Sequence, residues 1–170
     1  TAFVVDALSN EFFDKYKAKY EKFCNYIYDN RNDETLFGHE FAEWDEKLIR
    51  DYVKKLLGRI VFLHFLQKKG WLGVPVDKQW GEGDTQFMRN LFKASTQKQK
   101  DNYLDLVLEP LFAGALNTQR PNDIFDLNVE GFRTTRIPYL NGGLFERDAL
   151  DEPKSTFPAS YFEDLFEFFY

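Results

Sequence analysis

The chain has 170 residues, and its 19 Phe, 9 Tyr and 3 Trp bring aromatics to 18% and hydrophobic residues to 44%. At that density side chains bury enough surface to offset chain entropy, so a disordered chain is excluded. Charged residues make up 29% and the net charge is -6, which excludes a protein held to nucleic acid by bulk charge.

A first helix is expected over residues 9–28, with Ser9 as its N-cap. Its buried stripe would be Phe12, Tyr16, Tyr20, Phe23 and Ile27, with Lys15, Lys19 and Lys22 turned outward. Residues 29–44 read as a connecting loop rich in Asn, Asp and Gly. The clearest signal follows at 45–69. There Leu48, Ile49, Tyr52, Val53, Leu56, Leu57, Ile60, Val61, His64 and Phe65 recur at three- and four-residue spacing and form one apolar stripe. Asp45 and Glu46 suit the positive end of that helix, Lys68 and Lys69 the negative end, and Gly70 stops it.

Residues 70–83 read as an ordered loop pinned by Trp71 and Trp80, and Asp84 as the cap of a short helix reaching Ala94. A polar tract over 95–102 precedes a helix expected over 103–116. Leu104, Val107, Leu108, Leu111, Phe112 and Ala115 would be buried, with Pro110 tolerated as a kink. From Arg120 to Pro158 no long periodic run remains, and the chain should be irregular with one or two short strands near 132–137. Pro158 then opens a final helix whose Phe162, Leu165, Phe166 and Phe169 seek a partner. The expected fold class is mainly α: a single helical domain of about five helices, with a long irregular, partly extended segment after the fourth.

The one Met is Met88, the chain opens at Thr1 and it closes inside Phe166-Glu167-Phe168-Phe169-Tyr170. A domain excised from a larger multidomain protein is expected, with that aromatic end facing a neighbouring domain. No apolar run is long enough for a membrane span, so no membrane partner is expected. Cys24 as the one cysteine removes a disulfide framework and any zinc site needing several thiolates, and it points to a reducing, cytoplasmic setting.

No catalytic, cofactor-binding or metal-binding residue emerges. His39 and His64 lack further His or Cys at ligand spacing, and His64 falls on an apolar stripe, as a core histidine would. Cys24 has no base beside it. Asp45-Glu46-Lys47 and Glu152-Pro153-Lys154 match the letters of a magnesium-nuclease motif, but one opens a helix and the other contains a loop proline. Both read as solvated charges. Lys47, Arg50 and Lys54 share a helix face with Glu43, Glu46 and Asp51 at neutralising spacing. Arg120, Arg133 and Arg136 lie in the irregular segment; they are candidate contacts to DNA phosphates, against ordinary surface pairing. Asn141-Gly142-Gly143 reads as a tight turn in which two glycines allow positive φ and fold Leu144 and Phe145 back onto the helices. A phosphate cradle there would lack the helix that should follow it.

Two stretches together carry a resemblance. One is 52–72, containing Leu56-Leu57-Gly58-Arg59-Ile60 and Gln67-Lys68-Lys69-Gly70-Trp71. The other is Ile137-Pro138-Tyr139-Leu140-Asn141-Gly142-Gly143-Leu144-Phe145-Glu146. Leu8-Ser9-Asn10-Glu11-Phe12-Phe13 and Phe162-Glu163-Asp164-Leu165-Phe166 also fit, so nearly the whole chain is covered. In this order they resemble the helical connector of single-chain type II restriction–modification enzymes. Those proteins join a DNA-cleaving domain, the connector, an adenine-N6 DNA methyltransferase domain and a target-recognition domain.

The resemblance implies a spacer between flanking nuclease and methyltransferase domains of the same chain, meeting DNA through the whole protein. That parent would use S-adenosylmethionine and Mg2+, and this segment would hold no cofactor. The family's Gly-rich cofactor motif and Asn-Pro-Pro-Tyr catalytic motif are absent from the chain, so no catalytic residue carries over. The alternative is a free-standing helical protein-interaction module with exposed aromatics as its partner surface.

Overall fold

Asp45 starts the central helix in the computed structural model, which describes residues 2–169 and the side chains from Asn10 onward. Its carboxylate accepts the Leu48 N–H at 2.8 Å, satisfying one of the donors a helix start leaves open. This helix, α2 (Glu46–Lys68), ends where Gly70 takes φ +72. A Cβ on Gly70 would lie 2.2 Å from the Gly81 carbonyl oxygen, so only glycine fits where the 70–83 loop closes on itself. Val53, Leu57, Ile60 and Leu63 on α2 are completely buried. Each such side chain contributes roughly 1.5–3 kcal/mol of transfer free energy.

The buried arc of α2 differs from the expected stripe. Leu48 and Phe65 are exposed, while Arg59, Leu63, Leu66 and Gln67 are buried. The reason is coverage from several directions: α1 (Ala2–Asn30) and α3 (Phe87–Ala94) pack on the helix, and the chain around residues 144–151 closes over Arg59.

The backbone of α1 runs through Ser9 instead of starting there, because no proline or glycine interrupts the apolar residues before it. The Ser9 side chain lies outside the described residues, as do Thr1 and Tyr170. Phe23 and Ile27 are buried as expected, Tyr16 and Tyr20 half-buried, and Phe12 exposed. The 29–44 connection is more ordered than its composition suggests. It carries a 3-10 turn, His39–Glu43, and buries Phe37 and Phe41 completely. Phe37 and Phe23 both meet Phe157, with ring centroids 5.6 and 4.8 Å apart, so aromatic pairs tie the loop and α1 to the chain before the last helix.

The polar tract at 95–102 contains a short helix, α4 (Gln97–Asp101), which the sequence reading did not separate. Thr96 and Gln99 form a reciprocal capping box at its start. Beyond it, Leu104–Leu108 and Pro110–Leu116 are π-helical. Pro110 lacks the N–H an α-turn needs, and the wider turn accommodates it. The expected apolar face of this stretch is buried in full.

After Asn117 the chain is irregular. Two two-residue strands, β1 (Ile124–Phe125) and β2 (Thr135–Arg136), pair antiparallel with Ile124 opposite Arg136. The last helix, α5 (Ala159–Phe168), begins after Pro158, buries Phe162, Leu165 and Phe166, and packs on α3. The architecture is mainly α. Among the described residues, no helix is long and apolar enough to cross a membrane.

The 70–83 loop is not held by its tryptophans as expected. Leu72 and Val74 are fully buried, whereas Trp71 and Trp80 are each 40% exposed. The physical reason is size: Leu72 and Val74 fit between helix and strand, while the indoles lie over cationic side chains at the surface.

Candidate functional site

The two stretches that carry the family resemblance meet at one side chain. Arg59, on the inner side of α2, donates from Nε to the Leu144 carbonyl at 2.7 Å and from Nη2 to the Glu146 carbonyl at 3.0 Å. Its Nη1 reaches Asp151 Oδ1 at 3.0 Å, and both side chains are 3% exposed. The guanidinium also lies 5.4 Å from the centre of the Phe112 ring. A rigid fork of donors suits two carbonyls and a carboxylate at once, which an ammonium does not.

Asp151 in turn accepts the Asp148 N–H at 3.0 Å and lies 3.1 Å from the Lys55 ammonium. Burial alone would push its carboxyl up. The Asp148 N–H, Arg59 and Lys55 outweigh that effect and hold it below the ordinary range. Glu109 and Asp105 on the π-helical stretch go the other way. Burial raises both, and for Glu109 the neighbouring Asp151 charge adds to the rise. Such a cluster of opposed shifts can mark a catalytic site, but here the space between the side chains is filled. Arg59, Tyr52, Glu109 and Asp151 surround no void large enough for a water molecule. The cluster binds the loop to the helix; it does not present groups to a substrate.

Asn141-Gly142-Gly143 is part of this arrangement in a different way from the one expected. Positive φ occurs at Gly70, Gly73, Gly81 and Gly131, and not at Gly142 or Gly143. A Cβ on Gly142 would meet nothing within 4 Å, so neither close approach nor left-handed backbone requires glycine there. The turn is held instead from outside by Arg59. It seats Phe145, 2% exposed, against Phe62 and Phe112, while Leu144 stays exposed.

The three arginines named as phosphate contacts do not form one patch of equivalent cations. Arg133 pairs with Asp126 at 3.7 Å and with Asn128 Oδ1 at 3.0 Å. Arg120 closes the end of the π-helical stretch, donating to the Ala115 and Ile137 carbonyls at 2.8 and 2.7 Å. Arg136 lies 4.4 Å over the Trp80 ring and donates Nη1 to the Lys78 carbonyl. Among the described residues Arg120 and Arg136 have no carboxylate within 4 Å, unlike Arg50, Arg59, Arg89, Arg133 and Arg147, although the Asp123 charge acts on Arg120.

The remaining chemically interesting side chains are scattered. Asp45 caps α2, and Lys47 is bonded to Asp51. Lys154 reaches the Thr35 carbonyl, and Pro153 stands between it and Glu152. His64 is buried with Nδ1 2.8 Å from the Ile60 carbonyl. Burial lowers its pKa to about 4. Burial also raises the Cys24 thiol. Among the described residues, no three His, Cys, Asp or Glu side chains gather to hold a metal ion.

Comparison with known proteins points the same way as the motifs. The chain is 34% identical, over 113 residues, to the "Putative type II restriction enzyme and methyltransferase" of Methanocaldococcus jannaschii. The chain is related in sequence to a restriction–modification protein. The match covers 61% of this chain and only 8% of the archaeal relative, so the segment corresponds to a small part of that long protein. No protein-family model and no solved structure matches the chain.

Sequence reasoning overlooked Arg59 as a functional position, although a signal was present. Arg59 stands three residues after Leu56 and four before Leu63, at the spacing of the buried stripe. A charge at such a position needs a buried partner, but Asp151 lies 92 residues away in sequence. Nothing along the chain pairs them.

Proposed function

We propose that the chain is the helical spacer of a type II restriction–modification enzyme, joining a DNA-cleavage domain to an S-adenosylmethionine-dependent adenine-N6 methyltransferase domain. The observation that carries this reading is the Arg59 clamp. The residues behind the resemblance to restriction–modification proteins brace α2 against the loop through 144–151 and leave no open reaction site between them. A spacer needs that property: it keeps two working domains at a fixed separation, and separation sets where a cut falls relative to the recognised sequence.

S-adenosylmethionine and Mg2+ would be held elsewhere in the gene product. The residues present do not fit either group. No metal-ligand set gathers among the described residues, and the Gly142–Gly143 turn does not lie between a strand and a helix, as a glycine-rich cofactor turn would.

The test replaces the segment, in the gene product that carries it, by a flexible Gly/Ser linker of equal length. S-adenosylmethionine binding should persist, while cleavage, now at no fixed distance, should spread over many positions. A single sharp cleavage distance after the replacement would overturn the spacer role, as would micromolar S-adenosylmethionine binding by the isolated chain. The second reading, a free-standing interaction module, draws on the exposure of Phe12, Phe13 and Phe65. It predicts no loss of cleavage spacing in any protein.

A further inference from the structure

An open groove of about 670 Å³ runs between the 70–83 loop and the segment that follows the π-helical stretch. Trp80, Gln119, Arg120, Asp123 and Tyr139 line it, and Arg136 flanks it through its stack on Trp80. The geometry points to this groove as a seat for the sugar–phosphate backbone of duplex DNA. The inference deepens the spacer reading, on which it rests, by assigning the spacer its own contact to the nucleic acid.

The first reason is charge that is fixed in place and only partly compensated, by Asp123. In a chain of net charge -6, most arginines stand beside a carboxylate. Arg136 at this groove does not, and Arg120 has none within ion-pair distance, only the nearby charge of Asp123 from the same lining. Carbonyl bonds from Ala115 and Ile137 fix Arg120, which also lies 5.5 Å from the Phe125 ring; Lys78 and Trp80 fix Arg136. Carbonyls orient a guanidinium without neutralising it. Holding the side chains still in advance removes ordering cost from a later encounter.

The second reason is the balance of donors. Arg136 uses only Nη1 within the chain, and Trp80, Gln119 and Tyr139 make no side-chain hydrogen bond among the described residues. The groove therefore offers an indole N–H, an amide and a phenol, with two guanidinium nitrogens of Arg136 beside it, against Asp123 as its one acidic lining residue. A ligand made of acceptors and negative charge suits that set, and phosphodiester oxygens are such a ligand. Contacts of this kind position a protein on DNA without reading sequence. An acidic peptide would use the same charge, but it also brings backbone N–H donors, for which Asp123 is the one charged acceptor in the lining.

The test is fluorescence anisotropy of the chain with labelled 20-base-pair duplexes of unrelated sequence at low salt, beside single strands and polyglutamate. Nonspecific duplex binding with Kd of about 10⁻⁴ to 10⁻⁶ M is expected. Arg136→Gln should weaken it about tenfold and lower the salt slope by about one. Arg136→Lys should restore most of the slope, and Arg133→Gln should leave binding unchanged. Circular dichroism of each variant separates loss of contact from loss of fold. Absence of duplex binding by the unaltered chain, an equal loss with Arg133→Gln, or tighter binding of polyglutamate than of duplex would each overturn the groove assignment. None of these results touches the cleavage-spacing measurement, so the spacer reading stands or falls separately.

Discussion

Arg59 and Asp151 form a buried ion pair at 3.0 Å across 92 residues of sequence, each with a side chain 3% exposed. Taking two such charges out of water costs several kcal/mol per ion, and the pair recovers that only because further hydrogen bonds hold both groups. Lys55, the Asp148 N–H and the carbonyls of Leu144 and Glu146 complete the arrangement.

Removing one partner should therefore cost more than removing both. Arg59→Met leaves a buried carboxylate and should lower unfolding free energy by about 3–5 kcal/mol. Arg59→Met with Asp151→Leu should recover part of that loss. Urea denaturation of both variants checks the expectation, and a double variant less stable than the single one would contradict it.

Two glycines separate backbone need from mere presence. Gly70→Ala forces a side chain onto φ +72 and against the Gly81 oxygen, so a loss above about 3 kcal/mol is expected. Gly58 lies inside α2, and a Cβ added there would meet nothing within 4 Å, so Gly58→Ala should stabilise by about 0.5–1 kcal/mol. Thermal melts of the two variants should move in opposite directions.

His64 makes stability depend on pH. Its pKa falls from 6.5 to about 4 through burial, so below 6.5 the unfolded chain binds the proton more readily. Its contribution is complete above 6.5 and is lost as pH falls towards about 4, a loss of roughly 3 kcal/mol. Asp151, held low, also weakens the fold as acid protonates it. Asp105 and Glu109, held high, act in the opposite sense and favour the fold once protonated. Replacing His64→Gln should flatten the decline between pH 6.5 and 4. An unchanged decline in the denaturation midpoints would assign it to other groups.

The Tyr52 hydroxyl is bonded to Ser155 Oγ at 2.5 Å inside the core and couples α2 to the chain before α5. Tyr52→Phe leaves the serine without that partner and should cost about 1–3 kcal/mol. Tyr52→Phe with Ser155→Ala should cost less than Tyr52→Phe alone, as chemical denaturation of the two variants would show.

How much of this was legible differs from element to element. The extent of α2 was readable because its cap, its stripe and its stop are local: Asp45, the recurring Leu and Ile, and Gly70 act within a turn or two of themselves. The helix at 159–168 and the face of the π-helical stretch were readable for the same reason. The start of α1 was misplaced because Ser9 is an able cap that nothing compels to act as one. The short helix after Thr96 escaped because its residues are polar, and its capping box is what defines it.

Residue order alone was enough for a mainly helical body, the positions of most of its helices and the class of protein it resembles. Periodicity, caps and motif letters are properties of neighbouring residues, and they survive without a third dimension. Which charges matter came from packing in three dimensions. Arg59, one more cation on a helix in sequence, becomes a buried clamp when the chain brings Asp151 and two carbonyls to it. Arg120, Arg133 and Arg136, equivalent as letters, separate into a helix cap, a surface pair and a cation stacked on Trp80. The reason is that the free energy of a charge depends on what surrounds it within a few ångströms, and those surroundings come from residues far apart along the chain.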